Sequence, residues 1–306
     1  MLVRAAAANR CPLTVTKHCL PPSFPAKTER RRFVTVRFCV LASGSSGNAA
    51  FLATSKTRIL IDAGLSVREL ARRLALIGES PEALDAVLVT HEHSDHVAGL
   101  ARLVRWRERL KRHLPVYCSR LTAPLLNWEK SDGEKSHCEN MELPPIERFQ
   151  AGSGWMIGNI AVQSFTIPHD AIDPVGFCFH AEGVKLGIAT DLGYVPDSIK
   201  IHLRRAQILL LESNHDLEML KVGPYPWSVK QRVMGRNGHL SNAHTCDYLE
   251  NDIDGGVQTL VLGHLSDQNN HPELVRLGAE QALVRRGISP RLVVAGQKSP
   301  TEVFTY

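Results

Sequence analysis

Six residues limit this chain more than any others: HEHSDH at 91–96, directly after the β-branched run AVLVT at 86–90. A strand end sends alternate side chains to the same side, so His91 and His93 can chelate one ion together. Asp95 and His96, about a turn further on, can then serve a second ion. Imidazole with carboxylate suits zinc, manganese or iron rather than magnesium alone. A polar loop of chance composition is the plain alternative.

Around this motif, runs with strand and helix character follow one another. Residues 33–42 (FVTVRFCVLA) read as a buried strand, SGSSGN at 43–48 as a Gly/Ser turn, and AAFLAT (49–54) and RILIDAG (58–64) as further strands. Val67, Leu70, Leu74 and Ile77 recur at helical intervals until Gly78 stops the helix. A basic helix is expected from about Val97 to Lys111, a strand at 115–118, and then a helical and polar stretch to about 145. Within that stretch EKSDGEKSHCEN reads as a solvated loop or lid. Strands across 146–167 lead to His169, and a hairpin over 175–190, turning at Glu182–Gly183, delivers Asp191. Helices are expected at 198–206, around 215–234, at 241–251 and at 272–287. They are interleaved with the strands ILLLES (208–213), VQTLVLGHL (257–265) and RLVVAG (291–296). Strands this continuously apolar need cover on both faces. The fold class expected is α/β (α+β): two sheets face to face with helices outside, a four-layer αββα sandwich over 33–306.

VLVTHEHSDHVAGL resembles the metal-binding signature of the metallo-β-lactamase superfamily, whose ligands come from loops at strand ends. LASGSSGN, HDAIDPVGF, ATDLGY, ESNHDLEML, YPWSVKQR, GHLSN and LGHLSDQNN also stand in the order seen in the YycJ/WalJ-like family. The resemblance runs from about residue 36 to the C-terminus, so residues 1–35 depart from the family pattern. It implies two divalent ions, zinc or manganese with iron admitted, and exonuclease-type activity on nucleic acid. It also implies that His169 completes a set with His91 and His93, and that His264 joins Asp95 and His96. Asp191, ending KLGIATD, then bridges the two ions. The bland alternatives are an ordinary loop histidine at 169, a helix N-cap at 191 and a structural role at 264. His180 and His137 are weaker competitors.

Two ions about 3.5–4 Å apart can hold a bridging hydroxide and clamp the attacking and leaving oxygens of a displacement. Asp95 is then catalytic as well as ligating, since it can orient the hydroxide. Glu212, ending ILLLE, and His239 in GHLSN look like the Glu–His relay of the tRNA 3′-processing branch, in which the histidine protonates the leaving oxygen. A structural His239 or a phosphate contact is the alternative. Asn214 and His215 are candidate substrate contacts, with helix capping by Asn214 weighed equally. Ser45, Ser46 and Asn48 offer hydroxyls and free backbone N–H groups to a phosphate, or form a tight structural turn. The arginines at 68, 72, 73, 102, 105, 107, 109 and 112, with Lys111, read mainly as solvated helix faces, with nucleic-acid contact as the alternative. Trp227 is expected in the core, with base stacking the second reading.

Only 72 residues separate Asp191 from His264, which leaves no room for the inserted domain of β-CASP nucleases. The long substrate arm of tRNA-processing relatives is not evident either, so DNA and RNA both stay open. The ligand set alone also fits a small-molecule hydrolase (thioester, lactone or β-lactam) or a regulatory protein retaining a metal site. Charge does not choose among these. Residues 1–32 carry seven basic side chains and one acid, so the formal +5 of the whole chain leaves −1 on the remaining 274 residues. This segment reads as a disordered basic tail, with a transit peptide or a later translation start as alternatives. Seven scattered cysteines with no C-x-x-C argue against a disulfide framework and for a reducing cytoplasm. No apolar run approaches the roughly 18–20 residues of a membrane span. A homodimer is left open.

Overall fold

Strands buried along almost their whole length dictate the layering of this protein. In the computed structural model β1 (Arg37–Ala42), β2 (Ala49–Ala53), β3 (Arg58–Ile61) and β4 (Ala86–Leu88) have this character. The structure describes residues 35–126 and 146–306; the expected basic tail, the expected lid and His137 lie outside the described residues. With β5 (Val116–Ser119), β6 (Glu147–Phe149) and the edge strand β14 (Phe304–Thr305), these strands form one sheet in the order β14-β1-β2-β3-β4-β5-β6. The second sheet contains β7 (Gly154–Ile157), β8 (Ile160–Thr166), β9 (Val175–Ala181) and β10 (Val184–Ala189). β11 (Ile208–Glu212), β12 (Thr259–Gly263) and β13 (Arg291–Val294) complete it, in the order β13-β12-β11-β10-β9-β8-β7.

Pleating divides each strand between two cores. Phe38, Val40, Leu52, Ile59 and Leu88 of the first sheet meet Val162, Phe177, Ile188, Leu210 and Val261 of the second. Their chain neighbours Cys39, Leu41, Phe51, Leu60 and Val87 face away, toward the helices α1 (Val67–Leu76), α2 (Ser94–Val97) and α3 (Leu100–Arg109), and pack with Leu70 and Leu74 of α1 and Leu103 and Val104 of α3. Among the described residues five more helices follow: α4 (Asp197–Leu203), α5 (Leu217–Val222), α6 (Trp227–Val233), α7 (Asn242–Asn251) and α8 (Pro272–Arg286). Of these α4, α7 and α8 cover the outer face of the second sheet through Ile199, Leu249, Ala279 and Leu283. The layers are therefore α, β, β, α, as the hydropathy pattern requires.

Several local expectations change. The helix expected from about Val97 to Lys111 is broken at Gly99, where an added Cβ would stand 1.8 Å from the Leu65 carbonyl oxygen. RLVVAG is not the last strand, because β14 pairs with β1 through Phe38–Phe304 and Arg37–Thr305. The basic helix faces are not wholly solvated. Arg73 is buried and donates to the Leu41 carbonyl at 2.7 Å, while Arg107 donates to those of Pro81 and Glu82 at 2.7 and 2.6 Å. The thiols of Cys39, Cys118 and Cys178 are free and buried, and burial pushes them up to about 11, 12 and 11. Among the described residues no helix is long and apolar enough to cross a membrane.

Candidate metal centre

Parallel pairing brings the chemistry to one edge of the sandwich. β3 and β4 run parallel, so Asp62, which follows β3, stands beside Thr90 and the HEHSDH loop that follow β4. β10, β11 and β12 also run parallel, with Ala189 opposite Leu211 and Glu212 opposite Gly263. That register brings together Asp191, Glu212 and His264 at the strand ends. Asp62, Asp191 and His264 turn there with φ of 60, 61 and 58°, a left-handed conformation uncommon outside glycine.

His91, His93 and His169 form the first cluster. His91 Nε2 and His169 Nε2 lie 3.1 and 3.2 Å from His93 Nδ1. Ligands around a tetrahedral zinc at 2.0–2.1 Å stand about 3.3 Å apart, so the three nitrogens already have the spacing of a shared cation. Their orientation is fixed from behind. His91 Nδ1 meets Thr90 Oγ1 at 3.0 Å, and His169 Nδ1 meets the Gly238 carbonyl at 3.1 Å. Burial, reinforced by neighbouring imidazoles, pushes His91 well below its usual pKa and His169 down as well. Both are therefore neutral, which is the state a metal requires.

Asp95, His96 and His264 form the second cluster. Asp95 Oδ2 lies 3.5 Å from both His96 Nε2 and His264 Nε2, and Asp191 Oδ2 lies 3.4 Å from His96 Nε2. Asp62 holds His96 Nδ1 at 2.8 Å, and Glu212 holds His264 Nδ1 at 2.8 Å. Carboxylates behind ligating imidazoles fix the ring and raise its basicity. Asp191 joins both clusters, and its Oδ2 is buried without a hydrogen-bond partner among the described residues. A buried, orphaned carboxylate oxygen flanked by imidazoles fits a pair of divalent cations. Burial lowers the pKa of His96 and His264, but the carboxylates outweigh it. Asp191 and Asp62 raise His96 well above its usual value, and Asp191, Asp95 and Glu212 raise His264 to about 10.

Glu212 has no lone pair left for a metal. Its Oε1 accepts from His239 Nδ1 and His264 Nδ1, both at 2.8 Å, and its Oε2 accepts from the backbone N–H of Leu192 and Leu240 at 2.9 and 3.1 Å. It orients two imidazoles, one in the second cluster and one beside it. Because a carboxylate only accepts, His239 carries its proton on Nδ1 and keeps Nε2 for other work. Burial alone would lower His239, but the Glu212 carboxylate outweighs it and raises its pKa.

Of these groups His93, Asp95, Asp191, His239 and His264 line a cleft of about 390 Å³. Ser45, Asn214 and His215 line it, while Ser46 and Asn48 are not among the lining residues. Asn48 instead ties the Gly/Ser turn to a candidate ligand, accepting from Gly44 N–H at 2.8 Å and donating to Asp95 Oδ2 at 3.1 Å. The turn's N–H groups are not free either. With its amide oriented to satisfy both ends, Gln297 accepts from Ser45 and Ser46 N–H at 2.6 and 3.2 Å. Asn214 does not cap a helix: Asp216 caps α5, accepting from Glu218 and Met219 N–H at 3.0 and 2.9 Å. The core placement of Trp227 is wrong, since the residue is 63 % exposed. His180 is exposed on β9 and belongs to neither cluster. Asp62, Thr90, Gln297 and the Arg232–Asp170 ion pair at the cleft were missed. Of these only Asp62 had a sequence signal, a carboxylate ending a strand just before a glycine.

Comparisons with known proteins identify the family and the fold. The family model described as a beta-lactamase superfamily domain matches residues 57–264. Exodeoxyribonuclease WalJ of Streptococcus pneumoniae is 36% identical over 241 residues, covering 79% of this chain and 86% of the relative. Exodeoxyribonuclease YycJ of Bacillus anthracis is 36% identical over 254 residues, covering 82% and 90%. Among solved structures, the metallo-beta-lactamase fold protein YhfI of Bacillus subtilis superposes with a TM-score of 0.66 at 16% identity, over 89% of this chain and 100% of that one.

Proposed function

Because the chain belongs to the beta-lactamase superfamily, and within it to the family of the WalJ and YycJ exodeoxyribonucleases, we propose that it is a two-metal hydrolase that cleaves phosphodiester bonds at DNA ends. The observation that carries this reading is the meeting of two ligand clusters at Asp191, beside the Glu212–His239 pair. His91, His93 and His169 would hold one ion, and Asp95, His96 and His264 the other, with Asp191 between them. Imidazole and carboxylate donors without thiolate favour zinc or manganese, and admit iron. When bound, such ions supply Lewis acidity, neutralising phosphate charge and bringing the pKa of a water toward about 7.

The chain's own groups then divide the work. Asp95 and Asp191, kept ionised against their burial by the imidazoles around them, would hold the cations. His239, charged more readily than a free imidazole and aligned by Glu212, donates its proton to the departing deoxyribose oxygen. Arg232, which lines the cleft and is oriented there by its ion pair with Asp170, offers guanidinium N–H donors beside the phosphate path. The free buried thiols support the expected cytoplasmic location.

With Mn²⁺ or Zn²⁺ the purified protein should degrade end-labelled DNA far faster than it cleaves nitrocefin or a glutathione thioester. Asp95→Ala should abolish turnover, and His239→Ala should slow it by about 10²–10⁴ while both ions remain bound. Undiminished nuclease turnover by Asp95→Ala would overturn the proposal. Release of both ions by His239→Ala would overturn the proton-donor role.

A further inference from the structure

Buried polar atoms are nearly always hydrogen-bonded, so unpaired ones that line a cleft mark where a ligand belongs. His215 is 1 % exposed and Asn269 is fully buried, yet His215 Nδ1, His215 Nε2 and Asn269 Oδ1 all lack a partner among the described residues. Both residues line the cleft onto which the candidate ligand clusters open, and Tyr225 and Val229 line it too. His215 is held at this position by its backbone, which accepts from Asn242 N–H at 2.8 Å, and by the capping of α5 at the next residue. With its backbone anchored and its ring 1 % exposed, the orphaned imidazole is packed into the wall of the cleft.

We propose that His215 and Asn269, with the Tyr225 ring as a wall, form a subsite for the nucleobase of the nucleotide next to the scissile bond. This rests on the phosphodiesterase reading and adds to it the part of the substrate that is recognised. Burial drives the His215 pKa down to about 4, so the ring is neutral at working pH and offers one donor and one acceptor. Asn269 Oδ1 adds a second acceptor. Two acceptors and one donor, without a positive charge, repel a phosphate and suit the edge of an uncharged heterocycle. An aromatic and aliphatic wall suits its flat face. A sugar hydroxyl would use the polar atoms but not the ring.

The test compares substrates with one leaving group. Initial rates are measured for the 5′- and 3′-p-nitrophenyl phosphate esters of thymidine and for methyl p-nitrophenyl phosphate, which has no nucleoside. The wild-type protein should prefer at least one thymidine ester, and His215→Ala should cut that preference about tenfold, mainly through KM. An unchanged preference overturns the subsite. Should His215→Ala fail to fold, the wild-type protein still decides: thymidine should inhibit methyl p-nitrophenyl phosphate hydrolysis, and 2-deoxyribose should not. Equal inhibition by both, or none by thymidine, overturns the proposal. If no ester is hydrolysed, the phosphodiesterase reading fails. Calorimetric titration of the metal-loaded protein with thymidine then still tests the subsite, and absence of binding rejects it.

Discussion

Alanine at position 64 should disable the second metal cluster without touching any of its side chains. Gly64 lies under the HEHSDH loop, and a Cβ there would stand 1.7 Å from the Asp95 carbonyl oxygen, 2.5 Å from its carbon and 2.7 Å from Asn48 N. All three are backbone atoms, so no rotamer change relieves the contact. Real Cβ atoms essentially never approach within 3.0 Å, so the backbone at Asp95 must retreat by about 1.3 Å, from 1.7 to 3.0 Å. Metal–ligand distances tolerate only about 0.2 Å, and a shift of about 1 Å at a catalytic group can cost about 100-fold in rate. The retreat also breaks the 2.7 Å hydrogen bond from Asn48 N–H to the Asp95 carbonyl, which ties the Gly/Ser turn to the ligand loop. Gly64→Ala should therefore keep at most one ion after dialysis and lose at least about 100-fold in nuclease turnover. Elemental analysis gives the metal content, and a labelled-DNA assay gives the rate. Gly78→Ala is the control: its φ is +73° but nothing lies within 4 Å, so it should cost about 1–2 kcal/mol of stability and leave metal and rate intact. Two tightly bound ions and normal turnover in Gly64→Ala would refute the reasoning.

Other consequences can be measured directly. Without metal, His96 and His264 hold protons at pH 7 because their pKa values are raised, whereas His91 and His169 are already neutral. Loading both ions should thus release about two protons, and affinity should fall about tenfold per proton displaced for each unit of falling pH. Calorimetry in buffers of different ionisation enthalpy counts the protons; a count of zero contradicts the assignment. Asp62→Asn, which loses the 2.8 Å contact behind His96, should weaken metal binding about 10–100-fold in competition with a chelating dye. Unaltered affinity would make Asp62 merely structural. Trp227→Ala should weaken single-stranded DNA binding by about 1–3 kcal/mol in fluorescence anisotropy, with the melting temperature almost unchanged because the ring is exposed. Equal affinity would place Trp227 off the DNA path.

The layering was legible because pleated strands buried on both faces leave a continuous apolar signature, as in RFCVLA and ILLLE. Local hydropathy could not say which side of the seven-residue α6 turns inward. There Lys230 is buried, its ammonium on the Lys221 carbonyl at 2.7 Å, and Trp227 faces solvent. The Gly/Ser turn likewise looked open to phosphate because its occupant, Gln297, lies some 250 residues away in the chain.

Residue types and local spacing determined the layers, the strand ends and the HEHSDH candidates, since a histidine or aspartate after a strand carries its chemistry wherever the strand goes; His169, Asp191 and His264 joined the list through the resemblance to the metallo-β-lactamase superfamily. Tertiary structure alone decided that Asp62 stands behind His96, that Glu212 serves His239 and His264 together, and that His215 lines the cleft unpaired. Each of these depends on the order and register of parallel strands whose crossovers are long. The Glu212–His239 pairing was legible through the family motifs, but the hydrogen bonds of Asp62 to His96 and of Glu212 to His264, 34 and 52 positions apart, leave no trace in local sequence.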